Sequence, residues 1–106
     1  MQEYPNLKYI KELSGDDAAF EQKFITILKE EFPLEREAYH DHIEKNDFQM
    51  AAEIVHKLKH KFNILSLSNA YKLAVVYEEE LRAGNTDRDD NLRTILNQIK
   101  DYLNTL

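Results

Sequence analysis

Apolar residues recur at three- and four-residue intervals through nearly the whole chain, with polar turn chemistry between the periodic segments, a pattern that predicts six helices. Leu7, Ile10 and Leu13 form the first stripe, behind a proline, Pro5, suited to a first helical position, and Ser14-Gly15 ends it. Asp16 or Asp17 is placed to cap a second helix whose inward face is Phe20, Phe24, Ile27, Leu28 and Phe32. Pro33 then either starts a third helix or kinks a continuous one. Length favours a break, since an unbroken run from Asp16 to Lys45 would be roughly 45 Å long and outreach the helices that must cover it. Ala38, Tyr39, His42 and Ile43 are the inward residues beyond the break, with His42 at the edge of the core and His40 exposed.

Asn46 followed by Gln49 resembles a capping box and opens a fourth helix to about Leu65, with Ala51, Ile54, Val55, Leu58, Phe62 and Leu65 on its stripe. Ser66 to Asn69 supplies a turn and a cap for the fifth, whose face is Ala70, Leu73, Ala74, Tyr77 and Leu81 and whose end is marked by Gly84. Asn85 to Asp87 turns the chain into the sixth, where Asp87, Asp89 and Asp90 suit the positive end of the helix dipole. Leu92, Ile95, Leu96, Ile99, Leu103 and Leu106 form its apolar face. Short connections imply antiparallel neighbours, so the expected fold is all-α: an up-down antiparallel four-helix bundle with an additional N-terminal helix or helices, one domain over 1–106.

Composition narrows the function. Two glycines and two prolines argue against a sheet-rich fold, and the absence of cysteine excludes disulfides and thiolate metal sites. No run of about 18 apolar residues and no basic-then-apolar leader at Met1 stands in the chain, so the expectation is a soluble, cytoplasmic protein. Fourteen basic residues against twenty acidic ones give a net charge of −6, which points away from nucleic acid and anionic lipid and toward a protein partner.

The candidate chemistry lies on the fourth helix. With Leu58 at the centre of its buried stripe, Ile54, Val55, Phe62 and Leu65 fall within about 60°, whereas His56 falls about 160° away, toward water. Ala52 one turn before, Lys59 and His60 one turn after and Asn63 two turns after share that outer face, and none is a bulky hydrophobe. An exposed neutral imidazole can present an unprotonated nitrogen to phosphorus, and Lys59 is spaced to place an ammonium beside phosphoryl oxygens. Ala52 leaves room for docking.

The segment from Ala52 to Glu78 resembles the signature of histidine-containing phosphotransfer domains, His-x-Leu-Lys-Gly followed by Leu-Gly and spaced leucines. It stands here as His56-Lys57-Leu58-Lys59-His60, then Leu65-Ser66, then Leu73, Ala74, Tyr77 and Glu78. Leu13 to Asp17 with Phe20, and Asn46-Asp47, are similar to the family's opening and to its acidic turn. His60 and Ser66 each replace a family glycine. The resemblance implies a stoichiometric phosphocarrier, with no autonomous catalysis and no cofactor of its own. His56 would accept a phosphoryl group from a receiver-domain aspartate and pass it to another receiver, with Lys59 as supporting cation. Response-regulator receiver domains and a hybrid histidine kinase would be the partners, and Mg²⁺ would belong to the receiver. Two other readings use the same residues: a metal site built on His56 and His60 at i and i+4, with Glu53 on the same side, or a non-catalytic helical adaptor docking through a strip that includes Val75.

Overall fold

The structure is a computed structural model describing residues 3–106, so the reading of a leader at Met1 lies outside the described residues. Five helices and no strand are present among them: α1 (Lys8–Ser14), α2 (Ala18–Glu44), α3 (Phe48–Ile64), α4 (Ser68–Arg82) and α5 (Asp89–Leu103). No helix among the described residues is long and apolar enough to cross a membrane. Helix α2 packs against α1, α3 and α5, and α4 packs against α3 and α5, so the four longer helices close a ring around one core. Leu28, Phe32, Tyr39, Val55, Leu58, Phe62, Tyr77, Leu92 and Leu96 are all buried in it.

The break expected at Pro33 does not occur; α2 runs through it for 27 residues, about 40 Å at 1.5 Å per residue. The apolar stripe explains why. Leu28, Phe32 and Tyr39 are buried in one column on both sides of the proline, and the eleven residues from Leu28 to Tyr39 turn the helix back to within about 20° of its starting phase. Pro33 itself is exposed. Its missing N–H leaves the Lys29 carbonyl without a helical donor on a side that water reaches, and continuing the helix preserves the burial. The excess length is only partly covered. Helix α1 lies against the N-terminal part, Ile25 is buried there, and Phe20 and Ile27, expected inward, remain 40% exposed. Leu13, also expected inward, is exposed as well.

Three connections share one device. Asn46, Ser66 and Gly84 each follow a helix end with positive φ, 56°, 65° and 84° respectively. In each turn the next N–H reaches a carbonyl five residues back: Asp47 to His42, Leu67 to Phe62 and Asn85 to Glu80. These pairs, with the shorter bonds Asn46 to Ile43, Ser66 to Asn63 and Gly84 to Leu81, satisfy the carbonyls at the ends of α2, α3 and α4. Asn46 therefore ends α2 and does not cap α3; Asp47 is the cap, its carboxylate accepting from the Met50 N–H at 3.2 Å. Asp17 caps α2 through the Phe20 N–H at 3.1 Å. No side chain of the preceding turn caps α4, whose first amides at Asn69 and Ala70 donate instead to the Glu3 carboxylate, at 3.1 and 2.8 Å.

A polar chain crosses the core. The Tyr77 and Tyr39 hydroxyls lie 2.7 Å apart, Tyr39 donates to Asp89 Oδ1 at 2.6 Å, and Asp89 Oδ2 accepts from Arg93 at 2.8 Å. Burial, joined by the Asp89 hydrogen bond, pushes the Tyr39 phenol far above its ordinary value, and burial pushes Tyr77 up to about 12. Both hydroxyls stay protonated and tie α2, α4 and α5 together.

Because Pro33 sits exposed in a helix that would be uninterrupted without it, Pro33→Ala should stabilise the protein. Helix propensity favours alanine by about 3 kcal/mol, less about 1 kcal/mol for the freer unfolded chain, so a gain of about 2 kcal/mol is expected in urea unfolding. A loss of stability would show that the proline ring contributes packing that outweighs its helix cost.

Candidate functional site

Helix α3 is buried over about half its circumference because α2 and α4 flank it on either side. On the α4 side the buried arc extends past Val55, about 60° from Leu58, to Ala52, about 120° away. Ala52 is therefore fully buried in the core and not on the exposed face where periodicity placed it. His56, about 40° further round, stands just outside the seam, with its side chain 48% exposed.

What it meets there is Glu78. This residue lies on the buried side of α4, one turn from Ala74 and Leu81, and is only 8% exposed. One carboxylate oxygen is 2.9 Å from His56 Nδ1; the other accepts from Lys59 Nζ at 3.1 Å. Arg82, one turn along α4, reaches the first oxygen at 3.4 Å and Glu53 of α3 at 3.2 Å. Burial raises the Glu78 carboxyl pKa, but the hydrogen bonds from Lys59 and His56 together outweigh it and hold the group below its ordinary value. Glu78 is thus an anion that can only accept. When the imidazole is neutral its single proton sits on Nδ1, which leaves Nε2 with a free lone pair.

Of the other residues marked by the sequence, His60 is exposed and meets His56 edge-on, ring centroids 5.2 Å apart and planes at 87°. Asn63 is exposed at the last turn, where its carbonyl takes part in the α3 turn. Lys59 is in direct contact with the site through Glu78, and Val75 is exposed on α4. His40, expected to be exposed, is half-buried between α2 and α5. No group of three or more His, Cys, Asp or Glu able to hold a metal exists among the described residues. Glu53, the carboxylate considered beside the two histidines, is engaged by Arg82.

Sequence reading did not single out Glu78 or Arg82 as parts of the site. A signal was present: a glutamate on the same stripe as Ala74 and Leu81 is a carboxylate at a core position, where a partner is required. The opposite seam has a similar arrangement, with Lys61, 8% exposed, donating to Glu31 at 2.9 Å and Glu35 at 3.1 Å on α2.

No protein-family model matches the chain, and no curated protein or solved structure matches it either.

The lowered Glu78 pKa fixes the sign of a pH effect. A carboxyl held below its unfolded value adds stability that is complete above that value and lost as pH falls through the folded one. Glu78→Gln should cost about 1–2 kcal/mol at neutral pH, the scale of hydrogen bonds to a charged group. The gap between the two proteins should close as pH falls below 4.5, the ordinary value. Urea titrations at several pH values check this, and a gap that does not change with pH would reject an ionised Glu78 as its source.

Proposed function

We propose that this chain is a phosphocarrier of the histidine-containing phosphotransfer type, with His56 as the residue that carries the phosphoryl group. The observation that carries the reading is the His56–Glu78 hydrogen bond at 2.9 Å on a half-exposed imidazole. One ring nitrogen is fixed by a buried anion and the other is left as a nucleophile facing solvent.

In this reaction the Nε2 lone pair attacks the phosphorus of a receiver's aspartyl phosphate. The N–P bond forms as the P–O bond breaks, and the aspartate leaves as a carboxylate. The phosphorylated ring keeps its Nδ1 proton and gains positive character, which the Glu78 carboxylate stabilises through the same hydrogen bond. Lys59, already held at the site, offers an ammonium to the phosphoryl oxygens. Transfer to a second receiver reverses these steps, and the Mg²⁺ that neutralises the acidic pocket belongs to the receiver. The chain itself turns nothing over and acts as a stoichiometric intermediate between receiver domains and a hybrid kinase, in the cytoplasm. The fold that suits the role is an up-down antiparallel bundle of α2 to α5 with α1 as the addition. The ring of helix contacts and the three tight turns support it.

Incubation with phosphorylated receiver domains should place an acid-labile, base-stable phosphate on the protein. His56→Gln should abolish that label while leaving helicity and melting nearly unchanged, since the ring is half in water; a mutant that still takes up the label would end the proposal. Lys59→Ala should slow transfer without preventing it, as its ammonium stabilises charge and forms no bond to phosphorus. Equal single-turnover rates in the two proteins would remove Lys59 from the mechanism.

A further inference from the structure

The His56 ring is held from one side. Nδ1 meets Glu78 in the α4 seam at 2.9 Å, so Nε2, across the ring from it, is directed away from α4. Lys59 and His60 stand one turn further along α3 and divide the two sides between them. At 100° per residue Lys59 lies about 60° from His56 toward α4, and His60 lies about 40° from it in the opposite sense, toward open solvent. Their surroundings match these angles. The Lys59 side chain is 15% exposed and bonded to Glu78, whereas His60 is exposed, its ring centroid 5.2 Å from that of His56 and its plane at 87° to it.

The cations around His56 are committed to carboxylates. Lys59 donates to Glu78, and Arg82 reaches Glu78 at 3.4 Å and Glu53 at 3.2 Å. The carboxylates that share the flank of His60, Glu31 and Glu35, are held by Lys61. No ion pair among the described residues includes His60. Its ring is thus a donor with no anion of its own, on the side of His56 toward which Nε2 is turned.

We infer that His60 retains the phosphoryl group once His56 carries it: a ring N–H of His60 donates to a terminal oxygen of the group on Nε2 and slows its loss to water. This rests on the phosphocarrier reading and adds a role at the same site. In the loss, the N–P bond breaks with its electron pair returning to Nε2, water adds to phosphorus, and dihydrogen phosphate departs; the Nδ1 proton stays with the ring, held by Glu78. The transition state of such a transfer is loose, and the charge on the terminal oxygens helps to expel the leaving nitrogen. A donor to one of those oxygens stabilises the dianionic group more before the bond breaks than during its breaking, and so lengthens the life of the carrier. Neutral and protonated imidazoles both have an N–H, so the bond does not depend on one protonation state.

Potassium phosphoramidate, which passes its phosphoryl group to an imidazole nitrogen as ammonia leaves, loads the full chain without a receiver. Phosphorus NMR in magnesium-free buffer then follows the decay of the signal that His56→Gln lacks. His60→Ala should lose the label about fivefold faster than the parent protein, a part of the roughly tenfold that a hydrogen bond to a charged group carries. His60→Asn and His60→Gln return an amide N–H close to the positions of the two ring nitrogens, and at least one should restore the lifetime to within about twofold. Lys57→Ala, next to His56 in sequence but about 100° round the helix, should leave the lifetime unchanged. Position 60 is exposed, so these variants keep the fold, which circular dichroism checks. An equal or longer lifetime in His60→Ala, failure of both amides to restore it, or the same loss in Lys57→Ala would overturn the inference and leave the phosphocarrier reading in place. A parent protein that takes no label on His56, from phosphoramidate or from receivers, would overturn both.

Discussion

Helix α3 is held between α2 and α4, and the burial of both its flanks is the constraint from which the rest of the molecule follows. An amphipathic helix on a surface hides about a third of its circumference; here the hidden arc reaches from Lys61 on the α2 side to Ala52 on the α4 side. Its width forces charged residues to the edges of the core, where desolvation is costly unless each finds a partner. Both seams meet the cost in one way. Lys61 takes Glu31 and Glu35 from α2, and Lys59 with His56 takes Glu78 from α4. These pairs specify how α3 is rolled more than they add to net stability, because the attraction within a desolvated pair is largely offset by the loss of hydration.

Rolling α3 decides what His56 can do. Rotation toward the core would bury the ring with Ala52, and rotation away would leave it as one more solvated side chain with both nitrogens in water. At the edge of the seam one nitrogen meets a fixed anion and the other does not. The tautomer is then set by the fold, and no pH adjustment is needed to select it. Lys59 owes its place to the same carboxylate, so a single buried glutamate positions both the proposed nucleophile and its cation.

The stripe on α3 was legible because its period is unambiguous: Ala51, Ile54, Val55, Leu58, Phe62 and Leu65 are all buried where 3.6-residue spacing puts them. Gly84 at a helix end and a cap at Asp16 or Asp17 were equally readable, since each does locally what its chemistry favours, and the structure gives the cap to Asp17. Errors arose where a neighbouring helix decided the outcome. Ala52 is small, so periodicity alone cannot say whether α4 covers it; Phe20 and Ile27 lie about 80° and 100° round α2 from the buried Leu28, on a flank that the neighbouring helices leave partly open. Glu78 carried an unused signal, a carboxylate on a core stripe, but its partners, 19 and 22 residues away on another helix, carried none. Asn46 read as the cap opening the next helix and Ser66 as a turn residue, and only the backbone shows that each takes the left-handed conformation in which glycine is preferred.

Pro33 shows how far the packing of α3 reaches. Glu31 and Glu35 stand on either side of it, four residues apart, and both must face Lys61. In a continuous helix that spacing puts them one above the other on one face. A break at the proline would send the second glutamate in a new direction and leave a lysine that is 8% exposed with half its partners. The same break would detach Phe32 from Tyr39, and with Tyr39 the hydroxyl that joins Tyr77 to Asp89. Local propensity argues for ending the helix at Pro33 with an energy of about 3 kcal/mol. Against it stand a two-carboxylate ion cluster, a buried tyrosine pair and an apolar column, each of which needs the phase of α2 preserved across the proline. The helix continues because the partners on α3, α4 and α5 all require one direction from it, and the roll of α3 that exposes His56 is fixed in part by a glutamate pair that only an unbroken α2 can present.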